Sequence, residues 1–204
     1  MDSESILTLT PKQRARRDRI VDVAMELASD GGYDAVQMRD VAIRADVAMG
    51  TIYRYFTSKD QLLISAMADW TGRLRTRLSL RPPRGSTPSG RVTDVLQRAC
   101  RSLERQPLLA AALVRAMSST DVGVGDANRE VGQHIRAMIE PLLDDLDPET
   151  REDVIVIINH VWLSTLIGWS NGRIQFSQVA QQLAMAARLL LDPDVRLPGR
   201  STAN

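Results

Sequence analysis

Donor-rich side chains crowd into residues 37–63, which read QMRDVAIRADVAMGTIYRYFTSKDQLL. Guanidinium, phenol and hydroxyl groups stand there without a histidine or cysteine beside them. That chemistry suits contact with phosphates and base edges rather than bond-making. Bond-making groups elsewhere are scattered: Cys100, His134 and His160 lack the spacing of a nucleophile with its base, and no His/Cys cluster suits zinc. Gly123-Val124-Gly125 begins a dinucleotide-like string, but Asn128 stands in for the third glycine and no strand precedes it. No catalytic residue, metal or cofactor is therefore expected, and the chain does not read as an enzyme.

The elements that must position these groups follow from spacing. Met38, Val41, Ala42 and Ala45 recur with helical period. A second short helix is predicted from about Met49 to Tyr55, with small residues at Val47, Ala48 and Gly50 permitting close approach. Ile52 and Phe56 should face inward, leaving Thr51, Tyr53, Arg54 and Tyr55 to reach outward. A short polar helix braced on another is what a helix-turn-helix offers to the major groove.

Around it, Thr10-Pro11-Lys12-Gln13 is a helix start, Ile20, Ala24, Leu27 and Ala28 form an inward stripe, and Gly31-Gly32 is a stop. Ser58-Lys59-Asp60-Gln61 opens a longer helix to about Leu80. Its early part packs on the helix-turn-helix, and its later part enters a second domain. A Pro- and Gly-rich break follows over 82–88. Further helices are predicted at about 88–105, 107–120, 127–145, 148–172 and 176–191. Residues 154–158 could be a strand on propensity, but the apolar pattern continuing through Trp162, Leu166 and Trp169 favours a buried helix. His160 on that helix reads as a satisfied core residue. The expectation is an all-α chain of about nine helices: a helix-turn-helix domain over 10–58, a helical domain over 59–193, and loose tails at 1–9 and 194–204.

At 204 residues and 44% apolar the chain can bury a core. The run 154–169 is interrupted by Asn159, His160, Ser164 and Thr165, short of the roughly 20 apolar residues of a membrane span. The start lacks a basic-then-apolar export pattern, and the single Cys100 fits a reducing compartment, so a cytoplasmic protein with no membrane partner is expected. Net charge is only +1, and the first sixty residues hold 9 Lys+Arg against 10 Asp+Glu. Positive charge is local: Lys12, Arg14, Arg16, Arg17 and Arg19 are opposed only by Asp18. Placed directly before a helix-turn-helix, that cluster points at phosphates.

Gly50-Thr51-Ile52-Tyr53-Arg54-Tyr55-Phe56, with Ser58-Lys59, Leu62-Leu63, Gly31-Gly32-Tyr33 and Val41-Ala42, resembles the signature of TetR-type transcriptional regulators. The resemblance covers the whole chain and is most specific over residues 12–65. It implies that Arg14, Arg16 and Arg17 touch the DNA backbone or adjacent minor groove. It implies that Gln37 caps the second helix and meets a phosphate, and that Arg39 can read guanine. Ala48, Met49, Gly50 and Thr51 come close to the bases, with Thr51 able to meet a thymine methyl and Met49 offering apolar contact only. Tyr53, Tyr55 and Lys59 resemble phosphate-contacting residues, and Arg54 is either a contact or a surface charge.

The same resemblance implies a homodimer on double-stranded DNA with a palindromic operator. The last two helices would form the interface through Trp162, Leu166, Trp169, Leu183, Ala187, Leu190 and Leu191. It also implies a small-molecule cavity in the second domain. Met67, Trp70, Leu74, Leu103, Leu109, Leu113, Met117, Met138, Leu142, Trp162 and Leu166, with Leu96, would give it an apolar lining, so the effector should be apolar. Arg39–Phe56, Pro107-Leu108-Leu109, Arg115-Ala116-Met117 and Val161-Trp162-Leu163-Ser164 further resemble the branch of actinomycete sterol-catabolism repressors. That branch implies release from DNA by a steroid-acid coenzyme A thioester, with Arg73, Arg77, Arg105 and Arg115 as hypothetical partners for the phosphates. The alternatives are a helical lipid-binding or interaction protein that reads no DNA, or a regulator of efflux or fatty-acid genes.

Overall fold

The computed structural model describes residues 9–192, so the tails expected before and after fall outside the described residues, apart from Leu9. Nine α-helices and two 3₁₀ turns make up these residues, with no strand among them. α1 (Pro11–Ala35) opens on a capping box: Thr10 Oγ1 accepts from the Gln13 amide at 3.3 Å, and the Thr10 amide donates to Gln13 Oε1 at 2.8 Å. The helix breaks at Gly31-Gly32, where Gly32 takes φ +70°. α2 (Met38–Arg44) and α3 (Met49–Tyr55) follow. Between them the chain reverses through Asp46, at φ +51°, a conformation that aspartate tolerates better than most residues.

α4 (Lys59–Ser79) is capped by Ser58, whose Oγ accepts from the Gln61 amide at 3.1 Å. Every residue from Gln61 to Ala68 is buried, because α1, α6 and α7 enclose this part of the helix. α5 (Pro88–Glu104), α6 (Pro107–Met117) and α7 (Gly125–Ile139) complete its surroundings, with 3₁₀ turns at Val122–Val124 and Glu140–Leu142. α8 (Pro148–Ser170) is capped by Asp147, which accepts from the Thr150 amide at 3.0 Å and is thereby held below the usual carboxylate pKa. α9 (Phe176–Leu191) returns along α8 and α5.

Residues 154–158 are helical, not extended. By length and composition α8 is apolar enough to cross a membrane; in this fold its inner side packs against α6, α7 and α9. That double apolar character corrects two expectations. His160 is exposed, not a core residue. Trp162, Leu166, Leu183 and Ala187 are buried in their own subunit, so they are not available as an interface. The exposed apolar residues of the last two helices are instead Val156, Ile157, Met185 and Leu189.

Candidate nucleic-acid interface and effector cavity

The helix-turn-helix is held by a small apolar centre: Ile20 and Ala24 of α1, Val41 and Ala45 beside α2, and Ile52 and Phe56 beside α3, each no more than 2% exposed. The turn is closed by the Val47 amide donating to the Ala42 carbonyl at 3.0 Å, and Arg19 Nε donates to the Ala45 carbonyl at 2.8 Å. With this support, α3 turns Met49, Gly50, Tyr53 and Arg54 to solvent with Ala48 just ahead of them, and leaves Thr51 half-buried. Tyr53 is 51% exposed. Arg39 on α2 and Arg14 on α1 are exposed and Arg16 is half-buried. None of Arg14, Arg16, Arg39 and Arg54 makes an ion pair among the described residues. Their guanidinium donors stay free of carboxylates, and Arg54 lies over the Tyr55 ring at 5.4 Å.

Three expected contacts lie elsewhere. Tyr55 is only 3% exposed, and its hydroxyl is buried without a hydrogen-bond partner. It sits three residues after Ile52, on the same inward face, beside Phe56 at a ring-centroid distance of 6.3 Å. Arg17 is 5% exposed; its guanidinium donates to Asp69 of α4 at 2.9 Å and lies 5.8 Å from the Phe56 ring centroid. It joins the DNA-facing helices to α4 and does not reach outward. Gln37 stands at the N-cap of α2 but makes no cap hydrogen bond; its side-chain amide donates to the Asp34 carbonyl at 2.9 Å.

Lys59 is also engaged. Its Nζ lies 3.9 Å from the centroid of the Tyr33 ring and donates to the Tyr33 carbonyl at 3.3 Å. Arg115, from the end of α6, stacks on the same ring at 4.0 Å and pairs with Asp34 at 3.4 Å. The Tyr33 hydroxyl donates to Asp60 at 2.5 Å, and the Ser119 hydroxyl donates to the other Asp60 oxygen at 2.6 Å. Burial and the Asp60 carboxylate push the Tyr33 phenol up to about 12. This joint is a set of contacts that sequence spacing did not reveal, since its members come from α1, α4, α6 and the segment after α6.

Behind α4 lies a partly open cavity of about 240 Å³. Eight residues expected to line it do so: Met67, Trp70, Leu74, Leu103, Met117, Met138, Trp162 and Leu166. Leu109 and Leu113 are buried against a separate small gap beside Trp70, and Leu142 packs outside the cavity wall. Of α7 the sequence reading found only Met138; the helix also supplies Asn128, Val131, Gly132 and Ile135 at helical spacing. Polar groups are few. The Thr71 hydroxyl donates to its own helix and faces His134 Nδ1 at 3.1 Å, while Asn128 Oδ1 is buried without a partner. Such an apolar chamber with isolated polar points is the make-up of a small-molecule site.

A helix-turn-helix with an unpaired donor face, joined through α4 to a helical chamber, defines a one-component transcriptional regulator. Residues 20–66 match the family described as bacterial regulatory proteins, tetR family, and residues 85–190 match the tetracyclin repressor-like C-terminal domain. The chain belongs to the TetR family. It is 41% identical over 187 residues to the HTH-type transcriptional repressor KstR of Rhodococcus jostii, covering 91% of this chain and 87% of that one. It is 39% identical over 180 residues to the KstR of Mycobacterium tuberculosis, covering 88% of this chain and 82% of that one. Among solved structures, a TetR transcriptional regulator from Rhodococcus sp. RHA1 superimposes with a TM-score of 0.79 at 30% identity, over 90% of this chain and all of that one.

Proposed function

We propose that this protein is a cytoplasmic, homodimeric repressor of sterol or steroid catabolism genes that leaves its palindromic operator when a steroid-acid coenzyme A thioester enters the cavity. The observation that carries the reading is the outward side of α3, where Met49, Thr51, Tyr53 and Arg54 stand on a rigid support with Arg39 beside them. A single such face is too small to select among genomic sites, so two are needed. The exposed Val156, Ile157, Met185 and Leu189 on the last two helices give a second copy an apolar surface to cover. Two-fold pairing then sets half-sites about one helical turn, roughly 34–36 Å, or a multiple of it, apart.

Effector coupling follows from size. Sites for ligands of this class run to about 300–1,000 Å³, whereas the chamber holds about 240 Å³. The chamber is near the lower bound of that range and partly open, so a steroid body fills it wall to wall. Two of those walls are the later part of α4 and the end of α6 at Met117. Those elements also carry Asp69, which holds Arg17, and Arg115, which stacks on Tyr33. Displacement of these walls by the ligand thus pulls on both attachments of the DNA-facing helices.

A mobility-shift titration with fragments of the source genome tests this. The expected result is a salt-sensitive, sequence-specific complex that Tyr53→Ala weakens and that a steroid-acid coenzyme A thioester dissolves. Release by free acids or by unrelated drugs alone would overturn the effector assignment. Absence of any specific complex would favour a lipid-binding or interaction protein.

A further inference from the structure

Asn128 stands in the chamber wall with its side-chain hydrogen bonds unmade. Three side chains of the lining carry oxygen: Thr71, Asn128 and Asn159. Thr71 is satisfied by the protein. Its one hydroxyl proton goes to the Met67 or the Ala68 carbonyl, each 2.9 Å away, which leaves the oxygen to accept from His134 Nδ1 at 3.1 Å. Asn159 keeps its amide open to water. Asn128 does neither: Oδ1 is sealed from water without a donor, and Nδ2 donates to nothing among the described residues. Arg17 Nε and Tyr55 Oη are the other buried side-chain atoms without a partner there, and both lie in the DNA-facing half, outside the chamber lining. A buried amide oxygen left unmatched is costly and uncommon.

The space beside this amide is open as well. Gly132 lies four residues further on, on the same side of α7, and a Cβ there would meet nothing within 4 Å. Helical side chains lean toward the N-terminus, so a side chain at 132 would lie over the turn that carries Asn128. Glycine leaves that turn bare. The amide is also free to turn, since a half-rotation about χ2 exchanges oxygen for nitrogen and breaks no hydrogen bond.

This notch lies at the inner end of the chamber. α7 runs alongside α4 in the same direction: a Cβ on Gly123, just ahead of α7, would lie 3.0 Å from Thr57 Oγ1, while His134 meets Thr71. Asn128 therefore stands nearer the DNA-facing helices than Leu74 or Met138. There α4 is buried at every residue from Gln61 to Ala68, so a ligand reaches the notch with its leading end.

We infer that Asn128 is a specificity-determining residue of the chamber, reading one oxygen substituent at the leading end of an otherwise apolar effector. A ligand hydroxyl donates to Oδ1 or, with the amide turned, Nδ2 donates to a ligand ketone. Either one completes the buried amide, whereas a hydrocarbon end leaves it unmatched. The inference rests on the effector chamber proposed above, but not on the effector being a steroid.

The test measures binding to the full chain by isothermal calorimetry, using three coenzyme A thioesters that differ only at one ring carbon. They are the thioesters of lithocholic acid (a hydroxyl), 3-oxo-5β-cholanic acid (a ketone) and 5β-cholanic acid (neither). The wild type is expected to bind at least one oxygenated thioester about tenfold more tightly than the unsubstituted one. Asn128→Leu, of similar size, and Asn128→Ala, which adds no bulk, should both reduce that preference to less than about twofold, with circular dichroism confirming their fold. The unsubstituted thioester should bind Asn128→Leu at least as tightly as wild type. Equal binding of all three by wild type, a preference that survives in both variants, or an equal loss of all three in both variants overturns the inference. If the wild type binds none of the three, the steroid reading fails by itself, and palmitoyl-coenzyme A is then compared with 16-hydroxypalmitoyl-coenzyme A. A preference for the hydroxylated chain that Asn128→Leu abolishes upholds the inference; equal affinity for the two chains, or binding of neither, overturns it.

Discussion

The DNA-facing helices and the chamber are built by the same helix rules but invert what they leave unsatisfied. In α1 to α3 the inside is full and much of the outside is unspent: Ile52 and Phe56 are sealed in, Arg39 and Tyr53 are exposed, and Arg54 pairs with no carboxylate and lies only over the Tyr55 ring at 5.4 Å. Behind α4 it is the inside that is left incomplete, around Gly132, Met138 and Trp162, while outer arginines such as Arg91, Arg129 and Arg136 are held in ion pairs. Free donors on a rigid surface mark one partner, and missing volume inside a bundle marks another.

Replacing residues on either side of this contrast should separate stability from binding. The largest change is expected at the seam. Arg17→Ala removes one partner of a mostly buried pair and leaves Asp69 behind, costing about 3–5 kcal/mol of unfolding free energy in urea titrations if the pair behaves as fully buried, and less because the Asp69 carboxylate keeps some solvent. If the variant kept its stability but lost DNA affinity, Arg17 would belong with the outward donors after all. Arg39→Ala should behave in the opposite way, costing about 1–3 kcal/mol of operator affinity with relaxed specificity and no measurable change in melting temperature.

Chamber changes come next. Gly132 lies within α7 with open space where a Cβ would go, on the cavity wall. Gly132→Ala should stabilise the protein by about 0.5–1 kcal/mol, the usual gain in a helix interior, and Gly132→Phe should leave DNA binding intact while abolishing effector release. A destabilised Gly132→Ala would contradict the open wall. At the joint, the Tyr33 phenol is raised to about 12, so the folded state keeps the proton that the unfolded chain gives up near 10. Its contribution to stability is complete below pH 10 and is lost as pH rises towards 12. The alkaline decline of the melting temperature should therefore be shallower in Tyr33→Phe than in wild type.

The smallest effect is also the sharpest discriminator. Tyr55→Phe deletes a buried, unpartnered hydroxyl. It should leave operator affinity unchanged and raise stability slightly, by up to about 1 kcal/mol. A loss of DNA affinity from this single oxygen would return Tyr55 to the binding face.

What could be read from the chain, and what could not, follows the range of the interactions involved. Helix starts were legible because Thr10, Ser58 and Asp147 act on amides three residues away, and a break was legible at Gly31-Gly32. Tyr55 was misplaced although the signal was present: positions 52, 55 and 56 share one helix side, and the phenol's polarity was weighed above the spacing. Arg17 lies on the stripe of Ile20, Val21 and Ala24, but its justification, Asp69, is far away in the sequence. His160 and the true outward residues of α8 were hidden because that helix is apolar on both sides, so periodicity could not say which side faces its own bundle.

One consequence concerns the length of α4. Its 21 residues run about 31 Å at the usual helical rise, with one tip beside the DNA-facing helices and the other at the proline-containing connection to α5. Over that length a tilt of about 10° pivoting on one tip would displace the other by roughly 5 Å. In a symmetric pair of the proposed kind, two such displacements in opposite senses would change the separation of the DNA-facing helices, to be set against the roughly 34–36 Å of one duplex turn.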